Sequence, residues 1–398
     1  MQPSSEQRST SEGSTGVLDG LDSTSGPYPW VIETRTPTTP ELHRIATDLG
    51  AVSFGVTDTA AFDESRSVLQ EHAASGMSGP LHFTYTDPEK ATDVTASFAW
   101  ACSIVVFAHD YLNGSHIPSH LGPTVGRLAT RDQYAALRRI AAALTDSLTS
   151  AGARAETLID DNRMVDRAAA ARAGVGWLGR STMLLTPGHG PWVLLGSVVT
   201  DAELEQTSPM RRSCGTCVAC IPACPTGAIT PEGLDARRCI STWLQTPGPI
   251  PHWIRPFIER RIYGCDDCLT SCPPGIPAMG RTRGMPLELS FADLLALSDD
   301  ELLDSFNWFY VPHRDVRFLR RNLLVAAGNS EQADAVAPIL EHFTHRSSLV
   351  RGHAYWALAR SLGQDAWTPL RRRHAFETVP DALVELETAM LMLRIPSG

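Results

Sequence analysis

The most informative run in the chain is Cys214-Gly215-Thr216-Cys217-Val218-Ala219-Cys220-Ile221-Pro222-Ala223-Cys224-Pro225. Cysteine recurs there at intervals of three, three and four residues, and a proline follows the last one. This spacing is typical of bacterial ferredoxins, in which three close thiolates bind one [4Fe–4S] cluster and the fourth thiolate reaches a second cluster. The run therefore predicts a site for iron–sulfur clusters.

A second half of the same pattern follows as Cys239, a long insert, and Cys265-x2-Cys268-x3-Cys272-Pro273. The twofold ferredoxin pattern predicts two complete sets of four ligands, with the last cysteine of each half crossing to the other set. Set one is Cys214, Cys217, Cys220 and Cys272, and set two is Cys224, Cys239, Cys265 and Cys268. Two structural zinc sites are the alternative, although zinc ligand pairs are usually a dozen or more residues apart.

Length and composition limit the class of protein. The chain has 398 residues, which predicts two or three domains, and its net charge of −10 argues against a non-specific nucleic-acid coat protein. The longest apolar runs are too short for a membrane span, and no basic segment followed by an apolar stretch marks an export signal. We expect a cytoplasmic protein without a membrane anchor. Cys102 lies in an apolar run, which predicts a buried, inert thiol.

The order of hydrophobic patterns predicts a tail and three domains. Residues 1–35 are rich in Ser, Thr and Gly and predict a disordered tail. Alternating strand and helix patterns predict a layered α/β domain over 36–205. The cysteine-rich part, 206–285, predicts a ferredoxin-like domain with two clusters, and helical patterns over 286–398 predict a HEAT-like α-helical domain.

A glycine-rich segment follows Asp160 in the α/β part. Gly174, Gly176 and Gly179 imitate a dinucleotide fingerprint, but they come after a predicted helix and before a predicted strand. The Rossmann order is the reverse, so the segment does not predict NAD binding. Glycines beside Trp177 instead allow the backbone to approach a large flat ligand.

These motifs together resemble the epoxyqueuosine reductase family over residues 40–394. The resemblance is carried by Asp160…Asp166-Arg167, the segment 173–179, both cysteine halves, 234–241, 261–268 and 321–329. It implies a cobalamin in the α/β domain beside the nearer cluster, and reduction of an epoxide to an alkene at the tRNA wobble position. It assigns the role of proton donor to Asp160. A pocket that excludes part of the water would suit that role, because it would raise the pKa of the carboxyl. The cobalamin contacts that it implies are Lys90, Asp132, Gly174, Gly176, Trp177, Leu184, Leu195, Ser241, Asp266 and Asp267.

The chain departs from the family pattern at several positions. They are Lys90, Gln133, Tyr134, Arg180 and Ser181, and we place them in the cofactor and substrate domain rather than in the cluster domain. Exchanging Lys for Arg changes hydrogen-bond geometry, so Arg180 is not a silent difference. A divergent paralogue with another substrate therefore stays open.

The helical part is locally basic, with ten Arg and five acidic residues between Val311 and Ala375. Such a face can hold RNA phosphates without reading sequence. We predict RNA contacts at Arg320, Arg321, Arg371, Arg372 and Arg373. The aromatic run Trp308-Phe309-Tyr310 either stacks on a splayed base or packs in a domain junction.

Three functions are consistent with these patterns. The first is a tRNA-modifying reductase that uses cobalamin and two [4Fe–4S] clusters, receives electrons from an external low-potential donor, and acts as a monomer. The second is a cobalamin and iron–sulfur reductase of small molecules, similar to reductive dehalogenases. The third is an electron-shuttle or scaffold ferredoxin, which the long α/β domain disfavours.

Overall fold

The structure is a computed structural model and describes residues 35–112, 122–281 and 290–394. All of the predicted tail except Arg35 lies outside these ranges. The first part of the chain contains α1 (Thr39–Asp48), β1 (Ala51–Thr57), α2 (Asp63–Ala74), α3 (Pro88–Thr92), β2 (Ser103–Asp110), β3 (Thr124–Val125), α4 (Tyr134–Ser150), β4 (Ala155–Leu158), α5 (Asp166–Arg172), β5 (Trp177–Leu178), β6 (Leu184–Leu185) and β7 (Val193–Thr200).

A four-stranded sheet in the order β1-β2-β7-β4 organises this part, and all three pairings are antiparallel. Successive side chains of a strand point to opposite faces. On β2, Ile104 and Val106 pack in the core with α5, whereas Val105 and Phe107 pack in the core with α1 and α4. The sheet is therefore covered by helices on both faces.

Helix α4 forms because its apolar residues recur at helical spacing. Its buried residues are Leu137, Ile140, Ala141, Leu144 and Leu148. This stripe packs on the sheet. The helix ends at Ser150, Ala151 caps it, and Gly152 turns the chain with a φ of 90°. The first residue of α4 is Tyr134, which lies beside the candidate site.

The middle part is made of short elements. They are α6 (Cys220–Ala223), β8 (Ile229–Thr230), β9 (Gly233–Leu234), α7 (Ile240–Gln245), α8 (Arg255–Ile258), β10 (Arg261–Tyr263), α9 (Asp267–Thr270) and α10 (Ile276–Arg281). Strand β10 pairs with β3, which links this part to the first. Cys102 immediately precedes β2 and is exposed, so the prediction of a buried thiol is wrong. The apolar run around it belongs to the strand that begins at Ser103.

The last part is helical. Its helices are α11 (Phe291–Ala296), α12 (Asp299–Ser305), α13 (Val316–Ser330), α14 (Val336–Glu341), α15 (Ser348–Leu362), α16 (Trp367–His374) and α17 (Pro380–Met392). Helices α13 and α15 pack closely, since a Cβ on Gly328 would lie 2.7 Å from the Cα of Ala357. None of the helices in the described ranges is both long and apolar enough to cross a bilayer.

One hydrophobic core joins the helical part to α7, α8 and β10. Inside it, the Asn322 amide donates to the carbonyls of Leu244 (2.8 Å) and Ile262 (3.1 Å). Residues 36–398 consequently form one unit. The boundaries at residues 205 and 285 stay predictions.

Candidate active site

Asp160 lies two residues beyond β4, in the loop that leads to α5. Its backbone has a φ of 49°, the left-handed region that few residues other than glycine adopt. Such conformations persist where the surrounding structure enforces them, and they concentrate at functional sites. The side chain is accessible to solvent. The carboxyl is therefore held in a fixed place where a ligand can reach it.

The Tyr134 hydroxyl donates a hydrogen bond to the Asp160 carboxylate. The protein packed around Asp160 displaces water and raises the pKa of its carboxyl, and the negative charge of Asp166 acts in the same direction. The Tyr134 hydrogen bond and the positive charge of Arg167 oppose this shift without cancelling it. Asp160 therefore keeps its proton to a higher pH than an ordinary aspartate.

The adjacent Asp161 has the opposite character. Arg163 donates to both of its oxygens, from Nε (2.9 Å) and Nη2 (2.6 Å), and these bonds lower the pKa of Asp161. In an extended strand, neighbouring side chains point to opposite faces. This alternation does not explain the difference between Asp160 and Asp161, because the backbone of Asp160 is not extended. Pairing with Arg163 makes Asp161 a stable carboxylate, and Asp160 is the one suited to give up a proton.

The eight cysteines of the two predicted cluster sites interact within two groups of four. In the first, burial raises the pKa of Cys220 and Cys272, and the charges of Cys214 and Cys217 raise both further. In the second, burial raises the pKa of Cys268, and neighbouring charges add to the shift; they come from Cys265, Cys239 and Cys224. These interactions are consistent with the two predicted ligand sets, and the assignment of each cysteine to a cluster stays a prediction.

Both groups suit an iron–sulfur core. Cysteine ligands bind as thiolates, so a group of four needs a positive counter-charge, and cluster iron supplies it. Backbone N–H groups of Arg180 and Ala228 lie 3.2 Å from the sulfurs of Cys214 and Cys224, where they can donate hydrogen bonds. In the described ranges, no three His, Cys, Asp or Glu side chains converge as a single metal ion would require. The match between these residues and two iron–sulfur clusters therefore depends on how the thiolates are grouped and on their chemistry.

The glycine-rich segment borders set one. A Cβ on Gly174 would lie 2.3 Å from the carbonyl of Ser208, and one on Gly176 would lie 2.5 Å from that of Leu185. These glycines thus allow close approach of the protein's own backbone. The buried Trp177 packs with Leu185 and Cys272, and its indole N–H has no hydrogen-bond partner in the structure. Trp177 therefore lies beside the cluster ligands.

Arg180 lies between β5 and β6 and contacts the cluster segment. Its guanidinium donates to the carbonyls of Cys217 (3.2 Å) and Gly215 (3.4 Å). Ser181 is buried next to it. The departure from the family pattern at Arg180 thus concerns the surroundings of set one.

The implied cobalamin contacts in the first part of the chain are dispersed. Lys90 is exposed, and its charge contributes to the lowered pKa of Asp161. Asp132 pairs with Arg138 (2.6 Å) and lines an open recess of about 610 Å³ beside α4. Leu184 is buried in the core, and Leu195 is half-buried against it. Only Lys90 and Asp132 among these four present polar groups to solvent.

A strip of polar side chains connects Asp160 with set two. The charge of Asp160 raises the pKa of Tyr263, although burial contributes more, and Tyr263 lies two residues before Cys265. The Tyr263 hydroxyl donates to Gln245 Oε1 (3.1 Å), and Gln245 Nε2 donates to the Ser241 hydroxyl (2.7 Å). We call Asp160, Tyr263, Gln245 and Ser241 the polar strip. Tyr134, Tyr263 and Gln245 are absent from the predicted site residues.

Asp266 and Asp267 lie next to set two and already have partners. The backbone N–H of Arg127 donates to Asp266 (2.7 Å), and burial raises the pKa of Asp266 to about 6. Asp267 forms an ion pair with Arg261 (2.8 Å). Both carboxylates therefore stabilise the loop that carries Cys265 and Cys268.

The prediction of an exposed RNA-binding face is wrong at two of its five arginines. Arg320 is buried and bonds to Asp299 (2.6 Å) and to the carbonyl of Leu297 (2.6 Å). Arg321 is fully buried and donates to the carbonyl of Trp243 (2.8 Å). Both hold α13 against its neighbours, so neither can reach an RNA phosphate.

The other three arginines lie on α16. Arg371 and Arg372 are exposed, whereas Arg373 is half-buried and tied to Glu377 (3.1 Å) and Tyr355 (3.0 Å). In the aromatic run, Phe309 is buried and Tyr310 is half exposed. Trp308 donates to the carbonyl of Ala129 (2.8 Å) and thus packs at the junction with the first part.

Comparison with known proteins agrees with this arrangement. Residues 213–275 match the model of a 4Fe-4S double cluster binding domain. An epoxyqueuosine reductase of Bacillus subtilis is 30% identical over 383 residues, which are 89% of this chain and 95% of that protein. The chain belongs to the epoxyqueuosine reductase family. It is an oxidoreductase with a double iron–sulfur cluster domain.

Other members of the family extend the comparison. The enzyme of Staphylococcus aureus is 29% identical over 334 residues, 80% of this chain and 87% of that protein. A crystal structure of an epoxyqueuosine reductase with an epoxyqueuosine-modified tRNA stem loop has a TM-score of 0.77 and 28% identity, and covers 89% of this chain and 98% of that one. A structure of the Bacillus subtilis enzyme, also at TM-score 0.77, has an aspartate-bearing catalytic loop swung out of its active site.

Proposed function

We propose that this protein reduces epoxyqueuosine to queuosine at the wobble position of tRNA. The observation that carries the proposal is an accessible carboxyl with a raised pKa, near a polar strip that borders set two of the predicted cluster ligands. Family membership and a relative bound to a modified tRNA stem loop support the substrate. The catalytic-loop aspartate of another relative supports the role of Asp160, which also lies on a loop.

Cobalamin is the second cofactor in this proposal. The polar strip fits such a ligand, because a corrin ring carries a rim of amides that need donors and acceptors of hydrogen bonds. Ser241 and Gln245 are only half-buried and can offer both, and they lie on the side of set two. When bound, cobalamin supplies a reduced cobalt that can engage the substrate carbon. The residues proposed to hold it are Ser241, Gln245 and Asp132.

The chemistry determines what Asp160 has to do. Reducing an epoxide to an alkene removes the oxygen as water and consumes two electrons and two protons. The clusters carry electrons singly from an external donor. Asp160 donates a proton to the oxygen as a carbon–oxygen bond breaks, because an alkoxide is a poor leaving group. The Tyr134 hydroxyl orients the carboxyl while it does so.

A single-turnover reaction tests the function. Anaerobic protein with both clusters, reconstituted with cobalamin and chemically reduced, is mixed with epoxyqueuosine-bearing tRNA, and the nucleosides are analysed. We expect stoichiometric queuosine. Absence of conversion by fully loaded protein would contradict the proposal and favour the small-molecule reductase. The electron donor, monomeric state, cytoplasmic location and HEAT-like pairing stay predictions.

Replacing Tyr134 by Phe removes one hydroxyl and tests its control of Asp160. Because the hydrogen bond from Tyr134 lowers the pKa of Asp160, its loss raises that pKa further. The protonated acid then persists to higher pH, and the alkaline fall in single-turnover rate moves upward in Tyr134→Phe. We also expect a loss of rate of about two- to tenfold at neutral pH, as for one hydrogen bond. A pH profile identical to the wild type would contradict this coupling.

Charge reversal tests the exposed arginines of α16. In Arg371→Glu/Arg372→Glu, affinity for a tRNA stem loop should fall, and the log–log salt slope should flatten by about 0.7–0.9 per lost phosphate contact. Arg44→Glu is the control, because Arg44 is exposed on α1, which packs in a different core. The measurement is fluorescence anisotropy over a range of salt concentrations. If the double variant and the wild type have equal salt slopes, the proposal that α16 contacts RNA is contradicted.

A further inference from the structure

Two exposed aromatic rings from distant parts of the chain meet at the surface. Phe83 begins a 3₁₀ turn, Phe83–Tyr85, and Tyr310 lies between α12 and α13. Their ring centroids are 5.7 Å apart with an interplanar angle of 58°. Phe83 is 42% exposed and Tyr310 is 51% exposed. Much of each ring is therefore free to contact a ligand.

Each ring is linked to Asp160 through a short chain of neighbours, one residue long on the Tyr310 side and two residues long on the Phe83 side. The backbone N–H of Tyr310 donates to the Tyr263 hydroxyl (2.9 Å), and Tyr263 belongs to the polar strip. On the other side, Tyr85 shares the turn of Phe83 and interacts electrostatically with Arg167, which in turn interacts with Asp160. Both rings are therefore linked to the surroundings of Asp160.

Both loops contain residues in unusual backbone conformations, and basic side chains lie near each ring in the sequence. Phe83 has a φ of 30°, and His313 and Arg314 each have a φ of 53°, in the left-handed region. His82, His313 and Arg314 are all exposed. Single-stranded nucleic acid is typically bound by aromatic faces for the bases and positive groups for the backbone.

We propose that Phe83 and Tyr310 form a stacking site for a nucleobase of the RNA substrate, next to the base presented to Asp160. The inference rests on the proposed function and adds a specific contact to it. Stacking on an aromatic ring tolerates any base, so the site would secure the neighbouring nucleotide and leave the modified base to the polar strip. The helical part would then hold RNA through Tyr310 as well as through α16.

The test uses the holoprotein and a tRNA stem loop with 2-aminopurine on either side of the modified position. Stacking on Phe83 or Tyr310 should quench this fluorescence in the wild type. Phe83→Leu and Tyr310→Leu keep apolar volume but lose the aromatic face. Each should lose the quenching and raise the Kd about 5- to 150-fold, the range for one stacked base. Phe83→Tyr and Tyr310→Phe should restore both.

The control is Phe257→Leu, which makes the same change at an aromatic side chain that is 41% exposed on α8, outside the two ring-bearing loops and α16. Its Kd and quenching should match the wild type. If the Leu variants contain full iron and still bind and quench like the wild type, while the wild type turns over, the stacking site is refuted and the proposed function stands. If the wild type binds no stem loop, both are refuted.

Discussion

Cys220→Ala and Cys268→Ala are each expected to halve the iron content, from about eight to about four atoms per chain, and to abolish turnover. The two cysteines belong to different groups of thiolates, and each [4Fe–4S] cluster needs four ligands. Either loss interrupts the path of single electrons. Iron analysis and electron paramagnetic resonance of anaerobic protein measure the clusters, and the tRNA reaction measures turnover.

The consequences for folding should be local. Segments 213–239 and 264–275 have little apolar core, but α7, α8 and β10 share the large core of the helical part. Limited proteolysis of Cys220→Ala should therefore cleave within the first two segments and leave 240–263 protected. Cys102→Ala is the matched control, because Cys102 is an exposed thiol outside both groups. Eight irons in Cys220→Ala, or four in Cys102→Ala, would contradict the assignment of ligands.

Much of the architecture could be predicted because the spacing of apolar residues along the sequence indicates which face of a helix or strand is buried. The apolar stripe of α4 and the apolar runs of β2 and β7 are among the patterns that predict a layered α/β part, and the structure has a helix and two strands there. The antiparallel order of the sheet could not be predicted, since pairing depends on contacts far apart in sequence. The sequence pattern indicates that 286–398 is helical, but it does not define the bounds of α11, α12 and α16, which are short and have little periodicity.

Local charge misled the prediction for Arg320 and Arg321. A run of arginines usually indicates a solvated face, but these two side chains turn inward and satisfy carbonyls at the ends of neighbouring elements. Nothing in the spacing of Arg320-Arg321 distinguishes them from Arg371-Arg372, which are exposed. Burial of an arginine is determined by the partners that the fold brings to it.

The double-cluster domain could be predicted because cysteine spacing reflects the geometry of the clusters, whereas the assignment of each cysteine to a set stays a prediction. The surroundings of Asp160 could not, since Tyr134 reaches it only because α4 begins beside the end of β4. Likewise, the polar strip joins Tyr263, Gln245 and Ser241 across a fold whose loops carry no pattern. A side-chain hydrogen bond between separate elements leaves no periodic signal in a single sequence.

Asp160→Asn should reduce single turnover by a factor of about 10²–10⁴, the usual span for general acid catalysis. Asparagine keeps the shape of the side chain and can still accept the Tyr134 hydrogen bond, but it has no acidic proton to give. The raised pKa of Asp160 predicts that the wild-type rate falls as pH rises through that pKa, because the carboxyl is then ionised. Asp160→Asn should lose this alkaline fall together with most of its rate.

Asp161→Asn is the matched control, because it makes the same chemical change one residue away. Asp161 is paired with Arg163 and has a lowered pKa, so it is ionised at neutral pH and holds no proton to donate. Its loss should cost far less rate and leave the pH profile in place. Both variants should retain eight irons and bound cobalamin, which separates chemistry from assembly. A near wild-type rate for Asp160→Asn would remove Asp160 as the acid, whereas an equal loss in both variants would indicate that the loop, rather than the proton, is what the reaction needs.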